Sequence, residues 1–140
     1  EREIQKKQEI KDIHGVRVLL TEDNDLNMEI AQFFLENAGA VVEKATNGQE
    51  ALDIFRNSEI GHFDVILMDV MMPVMDGLTA TREIRRLIRS DAGTIPIIAM
   101  TANAFQEDRK RVLEAGMNEH LAKPLESEKL IETIGRYVRK

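Results

Sequence analysis

The sequence predicts an α/β fold in which a parallel sheet is covered by helices on both faces. Five short apolar runs alternate with longer amphipathic stretches along the chain. Two of the runs, at 65–68 and 96–100, are apolar at nearly every position, as strands buried on both faces must be. Because strands that alternate with helices are joined by crossovers, the strands are expected to be parallel and the sheet doubly wound.

The predicted strands are short and rich in aliphatic or β-branched residues. They lie near 16–20, 40–42, 65–68, 96–100 and, more weakly, 119–122. After the first strand the apolar period becomes helical, with Ile30, Phe34 and Ala38 forming one stripe. Gly39 stands where a helix C-terminal glycine is expected, so the first helix should end just before it.

The other helices carry their own start and stop signals. Asn47 followed by Glu50 resembles a capping box that opens the second helix, and Asp76 can cap the third. The fourth helix is expected from about Asn103 to a stop at Gly116. The apolar stripes of the third and fifth helices comprise Ala80, Ile84, Leu87 and Ile88, and Leu130, Ile134, Tyr137 and Val138.

Composition limits the kinds of protein that this chain can be. Its 140 residues, 43% hydrophobic and 31% charged, suit one soluble globular domain, and no apolar run is long enough to span a bilayer. The absence of cysteine excludes disulfides and thiolate chemistry and agrees with a cytoplasmic location. A net charge of −6 disfavours nucleic-acid binding. Four arginines at helical spacing are expected to form a solvated helix surface: Arg82, Arg85, Arg86 and Arg89.

The first 14 residues differ from the rest, because they are polar with only Ile4, Ile10 and Ile13 apolar. We therefore expect a linker or N-terminal extension over 1–14 and one domain over 15–140. Since the chain starts with Glu1 rather than Met, it is expected to be a fragment of a longer protein.

Polar side chains follow four of the five predicted strands directly. Glu22 and Asp23 follow the first strand, Asp69 the third, Thr101 the fourth and Lys123 the fifth. Doubly wound sheets bind ligands at the carboxyl ends of their strands, where the strand order reverses. Three carboxylates, a hydroxyl and an ammonium are thus expected at one edge of the sheet, although a threonine in this position could also cap a helix.

Three neighbouring carboxylates repel one another and need positive charge. At ~4 Å and an effective dielectric constant of ~20, each like-charged pair costs about 4 kcal/mol. Lys123 supplies one positive charge, and a divalent cation would supply two more. Because the donors are oxygens without histidine or cysteine, they favour Mg²⁺ or Mn²⁺ over zinc. Mg²⁺ retains positions for water and phosphate, so the cluster predicts phosphoryl chemistry.

These residues resemble the receiver domains of two-component response regulators over residues 16–138. The motifs that carry the resemblance stand in order along the chain: Glu22-Asp23, Ile66-Leu67-Met68-Asp69, Met72-Pro73, Met75-Asp76-Gly77, Met100-Thr101-Ala102-Asn103-Ala104 and Lys123-Pro124. Each motif alone is weak, and together they are specific. The resemblance implies a flavodoxin-like five-stranded sheet in the order 2-1-3-4-5 and a cis peptide before Pro124.

The resemblance also assigns the chemistry. It implies that Asp69 accepts the phosphoryl group and that Mg²⁺ is bound by Asp23, Asp69 and the backbone carbonyl of Met71. Glu22 would act on the metal through a water molecule. The domain would then catalyse its own phosphorylation and dephosphorylation.

Two further residues complete the implied mechanism, and one forms part of a switch. Lys123 would neutralise phosphoryl oxygens, and Thr101 would donate a hydrogen bond to one of them. In the implied switch, Thr101 moves toward the phosphoryl group and residue 120 rotates into the space left behind. Many relatives have Tyr or Phe at this position, whereas this chain has His120, whose imidazole can also fill that space.

A phosphohistidine donor has to reach Asp69, so the partner must dock beside the carboxyl edge. Leu26, Asn27, Ile30 and Pro124 are the predicted docking residues, although Ile30 also belongs to the expected buried stripe. The expected partner is a helical bundle that carries the histidine, either a histidine-phosphotransfer domain or a kinase dimerisation domain. No direct contact with nucleic acid or membrane is expected, even if the parent chain is anchored in a membrane.

Within the family, the pattern is most similar to the C-terminal receivers of hybrid sensor histidine kinases. The segments that favour this are Asp23-Asn24-Asp25-Leu26-Asn27, Met100-Thr101-Ala102-Asn103-Ala104 and Ala115-Gly116-Met117. A free-standing single-domain regulator is the alternative. A dehalogenase-type phosphohydrolase would need an aspartate two residues after its nucleophile, where this chain has Met71. A structural module without phosphorylation would not need Asp69, Thr101 and Lys123 together.

Overall fold

The computed structural model describes residues 13–102 and 106–138, in which five strands alternate with five helices. Most of the predicted linker, with Ile4 and Ile10, lies outside the described residues, as do Asn103 and Ala104. The elements in chain order are β1 (Arg17–Thr21), α1 (Asp25–Asn37), β2 (Val41–Ala45), α2 (Gly48–Asn57), β3 (Val65–Asp69), α3 (Gly77–Arg86), β4 (Ile97–Thr101), α4 (Gln106–Ala115), β5 (Glu119–Ala122) and α5 (Ser127–Val138).

The five strands form one parallel sheet in the order β2-β1-β3-β4-β5, which confirms the predicted class and topology. β2 is longer than its apolar run because the edge strand continues through the exposed Glu43 and Lys44. The strand order reverses between β1 and β3, which pair with each other at the centre of the sheet. A crevice for ligands is therefore expected where these two strands end.

Apolar side chains cover both faces of the sheet. On one face, β-strand residues such as Ile66 pack with Phe55 of α2, Ile84 of α3 and Val112 of α4. The other face is covered by α1 and α5, and Ile13 is also buried there. None of the helices that the structure describes is both long and apolar enough for a lipid bilayer.

The buried face of α1 differs from the predicted one. Met28, Ala31 and Leu35 are buried, whereas Ile30 is 39% exposed, so the expected Ile30–Phe34–Ala38 stripe is wrong in its phase. Phe34 and Ala38 pack only partly against the core. Ile30 lies two residues from Met28, about 200° around the helix, and cannot share its face. The end of the helix is as predicted, with Gly39 at φ 94° directly after the capping residue.

The predicted helix caps of α2 and α3 are confirmed. Asn47 accepts a hydrogen bond from the Glu50 N–H at 2.8 Å, and Asp76 accepts one from the Thr79 N–H at 2.7 Å. The Glu50 carboxylate accepts from the Thr46 N–H, one residue before the cap. The Asn47 and Asp76 side chains satisfy N–H groups that the first turn of a helix leaves without partners.

The end of α3 departs from the predicted stripe. The helix stops at Arg86, and Leu87 has extended backbone angles with φ −63° and ψ 143°. Ile88 therefore lies beyond the helix and is fully exposed.

Two of the four arginines expected at the surface are turned inward instead. The Arg85 guanidinium donates to the carbonyls of Gly116 (2.9 and 2.8 Å) and Ala92 (2.9 Å), and to Asn118 Oδ1 (3.0 Å). Burial lowers the pKa of Arg85. A helical repeat of charges does not reveal such acceptors, because they lie in loops outside the helix, those at Gly116 and Asn118 more than 30 residues away.

Arg89 lies at the same end of the sheet as Arg85 and has its own set of carbonyl acceptors. It donates to the carbonyls of Phe55 (2.7 Å), Ser58 (2.9 Å) and Glu59 (3.1 Å), which closes the C-terminal end of α2. Its guanidinium lies 4.4 Å from the centroid of the Phe55 ring and pairs with Asp91 at 2.6 Å. We call Arg85, Arg89 and Asp91 the amino-edge cluster, because they lie where the strands begin.

Candidate functional site

The carboxyl edge of the sheet brings the three predicted carboxylates together. Glu22 and Asp23 directly follow β1, and Asp69 is the last residue of β3, the strand beside it. Their carboxylate oxygens can all lie within 4.8 Å of one another. Glu22 and Asp69 are buried, at 2% and 4% exposure, whereas Asp23 is exposed. The cluster is thus closed toward the core and open to solvent.

Lys123 reaches this cluster from the end of β5. Its Nζ atom lies 2.8 Å from Glu22 Oε1 and 3.0 Å from Asp69 Oδ2, so one ammonium bridges both buried carboxylates. Its backbone N–H donates to the Thr101 carbonyl at 2.8 Å, which holds the ends of β4 and β5 together. The peptide bond between Lys123 and Pro124 is cis, as predicted.

The site has three carboxyl groups and one ammonium, and their burial and proximity shift the pKa values of Asp69, Glu22 and Lys123. Burial and, after it, the neighbouring Glu22 carboxyl together raise the pKa of Asp69 to about 7, against the opposing effect of Lys123. Burial alone would raise the pKa of Glu22, but hydrogen bonds from Lys123, Asp69 and the Asn24 N–H lower it. Burial opposes the charge of Lys123, yet its two carboxylate partners raise its pKa overall. The Glu22–Asp69 pair therefore keeps a proton up to near-neutral pH.

Thr101 and Met71 flank this cluster. Thr101 is the last residue of β4 and is 8% exposed. The Met71 side chain points to solvent, 76% exposed, while its backbone N–H donates to Asp69 Oδ1 at 3.3 Å. The structure thus places the backbone of Met71, rather than its thioether, beside the acidic cluster.

His120 lies on β5, where it pairs with Ala99 of β4. Alternate residues of a strand share a face, so His120 and Thr101 stand on the same face of the sheet. The Nδ1 atom of His120 is buried and has no hydrogen-bond partner among the described residues. The structure therefore sets the two predicted switch residues on one face of neighbouring strands.

An apolar groove runs beside the site, between α1 and the loop after Lys123. Its volume is about 570 Å³, and all four predicted docking residues lie in or next to it. The apolar side chains that line it are Leu26, Ile30, Phe33, Phe34, Pro124 and Leu125. Leu26 is 64% exposed, and Asn27 uses its backbone N–H for the cap of α1. We call this surface the α1 groove.

Sequence reasoning missed Phe33 as part of the α1 groove. This side chain is 65% exposed. Leu26, Ile30 and Phe33 follow one another at intervals of four and three residues, which places them on one helix face. The spacing could have revealed the groove, had Ile30 not been assigned to the buried stripe.

The donor set of the carboxyl edge fits a hard divalent cation. Glu22, Asp23 and Asp69 offer carboxylate oxygens, with neither histidine nor cysteine in the cluster. Mg²⁺ prefers such oxygens and commonly uses only one or two carboxylates, with water in its other positions. The exposed Asp23 leaves a route by which a cation and its waters can enter.

Comparison with known proteins agrees with this geometry. The family model described as "Response regulator receiver domain" matches residues 18–135. Hybrid signal transduction histidine kinase I of Dictyostelium discoideum is 36% identical over 126 residues, which cover 89% of this chain. The match spans only 7% of that kinase.

Two solved structures are similar over nearly the whole described chain. The receiver domain of a sensor histidine kinase from Pseudomonas aeruginosa, with a magnesium ion in its active site cleft, is 39% identical with a TM-score of 0.81. The match covers 90% of this chain and 99% of that one. A second structure is the receiver domain of Ssk1 from Saccharomyces cerevisiae, solved with the histidine phosphotransfer protein Ypd1. It is 30% identical with a TM-score of 0.78, and the match covers 89% of this chain and 90% of that one. The family match over most of the chain, together with the sheet order, shows that this chain belongs to the response regulator receiver domain family.

Proposed function

We propose that this domain accepts a phosphoryl group on Asp69 from a phosphohistidine, with Mg²⁺, as one step of a two-component phosphorelay. The observation that carries the proposal is the position of Asp69 at the topological switch point, within 4.8 Å of the Glu22 and Asp23 carboxylates and 3.0 Å from Lys123. A buried nucleophile between a cation site and an ammonium is suited to an anionic phosphoryl group.

In the transfer, a carboxylate oxygen of Asp69 attacks phosphorus while the bond between phosphorus and the imidazole nitrogen of the donor breaks. An acyl phosphate forms, and the donor leaves as neutral histidine after taking up a proton. Lys123 supports this step because its ammonium already lies at the carboxylate and can neutralise phosphoryl oxygens. The Thr101 hydroxyl donates a hydrogen bond to one of these oxygens. Positioning and charge neutralisation dominate such transfers.

The residues that would hold Mg²⁺ are Asp23 and Asp69 through carboxylate oxygens, Met71 through its backbone carbonyl and Glu22 through water. When bound, the cation neutralises charge on the carboxylates and on the phosphoryl oxygens. Magnesium in the active site cleft of the Pseudomonas aeruginosa receiver supports this assignment. Mn²⁺ accepts the same donors.

The α1 groove is the proposed docking surface for the donor. It is apolar, adjoins Lys123 and Pro124, and exposes Leu26 and Phe33. A helix of a histidine-bearing bundle could pack its apolar face there and present the phosphohistidine to Asp69. The yeast receiver solved with a histidine phosphotransfer protein supports a partner of this kind.

The parent chain is proposed to be a hybrid histidine kinase. Curated relatives that are named histidine kinases, one of them a hybrid kinase, match over 84% to 92% of this chain, while the matches span 7% to 13% of their own lengths. A kinase core upstream in the parent reading frame would support this origin. A reading frame that encodes the receiver alone would support a free-standing regulator.

His120 is proposed as the second half of the switch. When Thr101 moves toward a phosphoryl group, the imidazole rotates into the space left behind. Its buried Nδ1 has no hydrogen-bond partner among the described residues, which supports an imidazole that this nitrogen does not hold in one position. The His120 ring resonances in NMR spectra should shift when beryllofluoride is added to the wild type and not when it is added to Thr101→Ala.

Acetyl phosphate and Mg²⁺ test the central chemistry. The wild type should give a retarded band on a Phos-tag gel, and EDTA should abolish it. Asp69→Asn should give no such band. A retarded band of equal intensity in Asp69→Asn would show that another residue accepts the phosphoryl group.

The docking surface is tested with a charge in the α1 groove. Leu26→Asp should slow phosphotransfer from a purified histidine-phosphotransfer protein while leaving acetyl phosphate labelling nearly unchanged. Leu113→Asp, at a 45% exposed leucine on α4, is the matched control and should affect neither reaction. Equal losses with both donors in Leu26→Asp would mean that Leu26 supports the fold or the site instead.

A further inference from the structure

The loop between β3 and α3, residues 70–76, carries the Met71 backbone that the proposed function assigns to the metal. Backbone hydrogen bonds fix both of its ends. The Val70 N–H donates to the Met100 carbonyl at 3.1 Å, and the Gly77 N–H donates back to the Val70 carbonyl at 3.0 Å. The middle of the 70–76 loop has to be held by other contacts.

The middle of this loop is strained. The Met75 N–H donates to the Pro73 carbonyl at 2.7 Å, which closes a three-residue turn around Val74. Val74 has φ 69°, and its side chain is 82% exposed. A β-branched residue with positive φ is sterically disfavoured, and such turns persist only where the surroundings hold them. Since the Val74 side chain is mostly in solvent, its own packing contributes little to holding this conformation.

Gly48 contacts the strained turn from α2. It is the first residue of that helix, and its N–H donates to the Met75 carbonyl at 2.9 Å. This N–H is one of those that a helix leaves without a partner in its first turn. A Cβ atom on Gly48 would lie 2.4 Å from the Met75 carbonyl oxygen and 3.0 Å from the Asp76 carbonyl oxygen. No real side chain tolerates the shorter of these distances.

Glycine is needed at position 48 because a side chain there would clash with the 70–76 loop, and not because its backbone angles require glycine. The φ of Gly48 is outside the left-handed region, so its own backbone would accept another residue. The Asn47 cap fixes the start of α2 and thereby aims the Gly48 N–H at the loop. Any side chain at position 48 would push the loop and the helix apart.

We infer that Gly48 is a positioning residue for the metal site, acting through the 70–76 loop. By contacting the Met75 carbonyl without a side chain, it holds the strained turn and with it the backbone of Met71 beside Asp69. The inference rests on the proposed function, because it takes the Met71 carbonyl as a ligand. Gly48 itself is not one of the proposed ligands of the cation or of the phosphoryl group.

The test compares Gly48→Ala with Gly93→Ala. A Cβ atom on Gly93 meets no atom within 4 Å, so this control adds a methyl group without a clash. Mg²⁺ affinity is measured by calorimetry at a temperature at which circular dichroism shows each variant to be folded. Gly48→Ala should bind Mg²⁺ about 10-fold more weakly than the wild type, as is usual when a group that orients a ligand is lost. Gly93→Ala should bind Mg²⁺ like the wild type.

Labelling by acetyl phosphate gives a readout that a purely structural role would not change. For Gly48→Ala, the Mg²⁺ concentration at half-maximal rate should rise, while the rate at saturating Mg²⁺ stays near that of the wild type. If Gly48→Ala does not fold, the comparison is made between Val74→Gly and Val74→Gly/Gly48→Ala. A glycine at 74 lets the turn retreat from the methyl group, and the double variant should still bind Mg²⁺ more weakly.

The outcomes separate this inference from the proposed function. Unchanged Mg²⁺ affinity in Gly48→Ala, or an equal loss in Gly93→Ala, would overturn the positioning role. Asp23→Ala is run beside them. Loss of binding in Asp23→Ala with normal binding in Gly48→Ala would reject only the inference, whereas normal binding in both would reject the ligand assignment itself.

Discussion

The two ends of the central sheet differ in how their charged side chains are paired. At the amino edge, Arg85 and Arg89 each direct their N–H groups at several carbonyl oxygens, and Arg89 also pairs with Asp91. At the carboxyl edge, three carboxylates lie together, with Lys123 bridging two of them. One end has the hydrogen-bond partners that it needs, and the other needs further positive charge.

The amino edge therefore contributes to the stability of the fold, whereas the carboxyl edge serves binding. Buried polar groups stabilise a fold when each has its partners and destabilise it when they do not. The amino-edge cluster ties the C-terminal ends of α2 and α3 to neighbouring loops. The carboxyl edge instead retains repulsion between carboxylates, which destabilises the unbound state and which a bound cation can relieve.

The largest effect on stability is expected at the amino edge. Arg89→Met should lower the free energy of unfolding by about 3 kcal/mol, because it removes several hydrogen bonds and leaves the Asp91 carboxylate without a cation. Arg86→Met is the matched control. Arg86 is 73% exposed and pairs with Glu83 on its own helix, so its loss should cost less than about 0.5 kcal/mol. Urea unfolding measures both, and equal losses would remove the contrast between buried and exposed arginines.

The buried carboxyl groups of the carboxyl edge should make the stability of the folded domain depend on pH. In the folded domain without metal, the pKa of Asp69 is about 7, against an ordinary value of 3.8. Between these values the folded state binds more protons than the unfolded state, so stability should fall as pH rises through this window. Asp69→Asn should flatten the fall. The lowered pKa of Glu22 acts in a more acid window, where stability is lost as pH drops below 4.5. A fall of the same size in Asp69→Asn would assign it to another group.

Removal of one carboxylate should abolish cation binding and at the same time increase the stability of the domain. Asp23→Ala should bind no Mg²⁺ and yet unfold at higher urea concentration than the wild type in EDTA. The expected gain is at most about 1 kcal/mol, since Asp23 is exposed and its repulsion is screened by solvent. Asp25→Ala, two residues further along the same acidic segment, serves as a control for charge alone. Lower stability of Asp23→Ala in EDTA would contradict the repulsion that we assign to this edge.

The smallest effect concerns the strained turn of the 70–76 loop. Val74→Asn should raise the free energy of unfolding by about 0.5–1 kcal/mol, because asparagine tolerates positive φ better than a β-branched residue. Val41→Asn, at an exposed valine of the edge strand β2, should instead be neutral or destabilising. Thermal unfolding of both variants tests whether the strain at Val74 is real, and a loss of stability in Val74→Asn would argue against it.

Local signals in the sequence predicted most of the fold. The caps at Asn47 and Asp76 and the stop at Gly39 depend on residues a few positions apart, and the structure has all three. The strands were found because buried parallel strands are continuously apolar. Their carboxyl ends must meet at one edge, so Glu22, Asp23, Asp69 and Lys123 could be brought together without coordinates.

Features that depend on distant contacts could not be predicted in this way. The phase of the α1 stripe is set by how the helix sits on the sheet, and a pattern that also contains exposed apolar residues is ambiguous. Arg85 and Arg89 are turned inward by carbonyls of loops far along the chain. Gly48 has no side chain to produce a signal, and its role becomes visible only when the distance to Met75 is known.

The identity of the phosphorylated residue is the most direct test of a carboxyl edge built around Asp69. After reaction with acetyl phosphate and Mg²⁺, borohydride reduces an acyl phosphate on aspartate to the alcohol, which leaves homoserine at that position. Peptide mass spectrometry then locates it. Homoserine is expected at position 69 alone, and none is expected when Mg²⁺ is replaced by EDTA. Homoserine at position 23, or a phosphorylated chain without conversion at position 69, would contradict the claim that the carboxyl edge is built around Asp69.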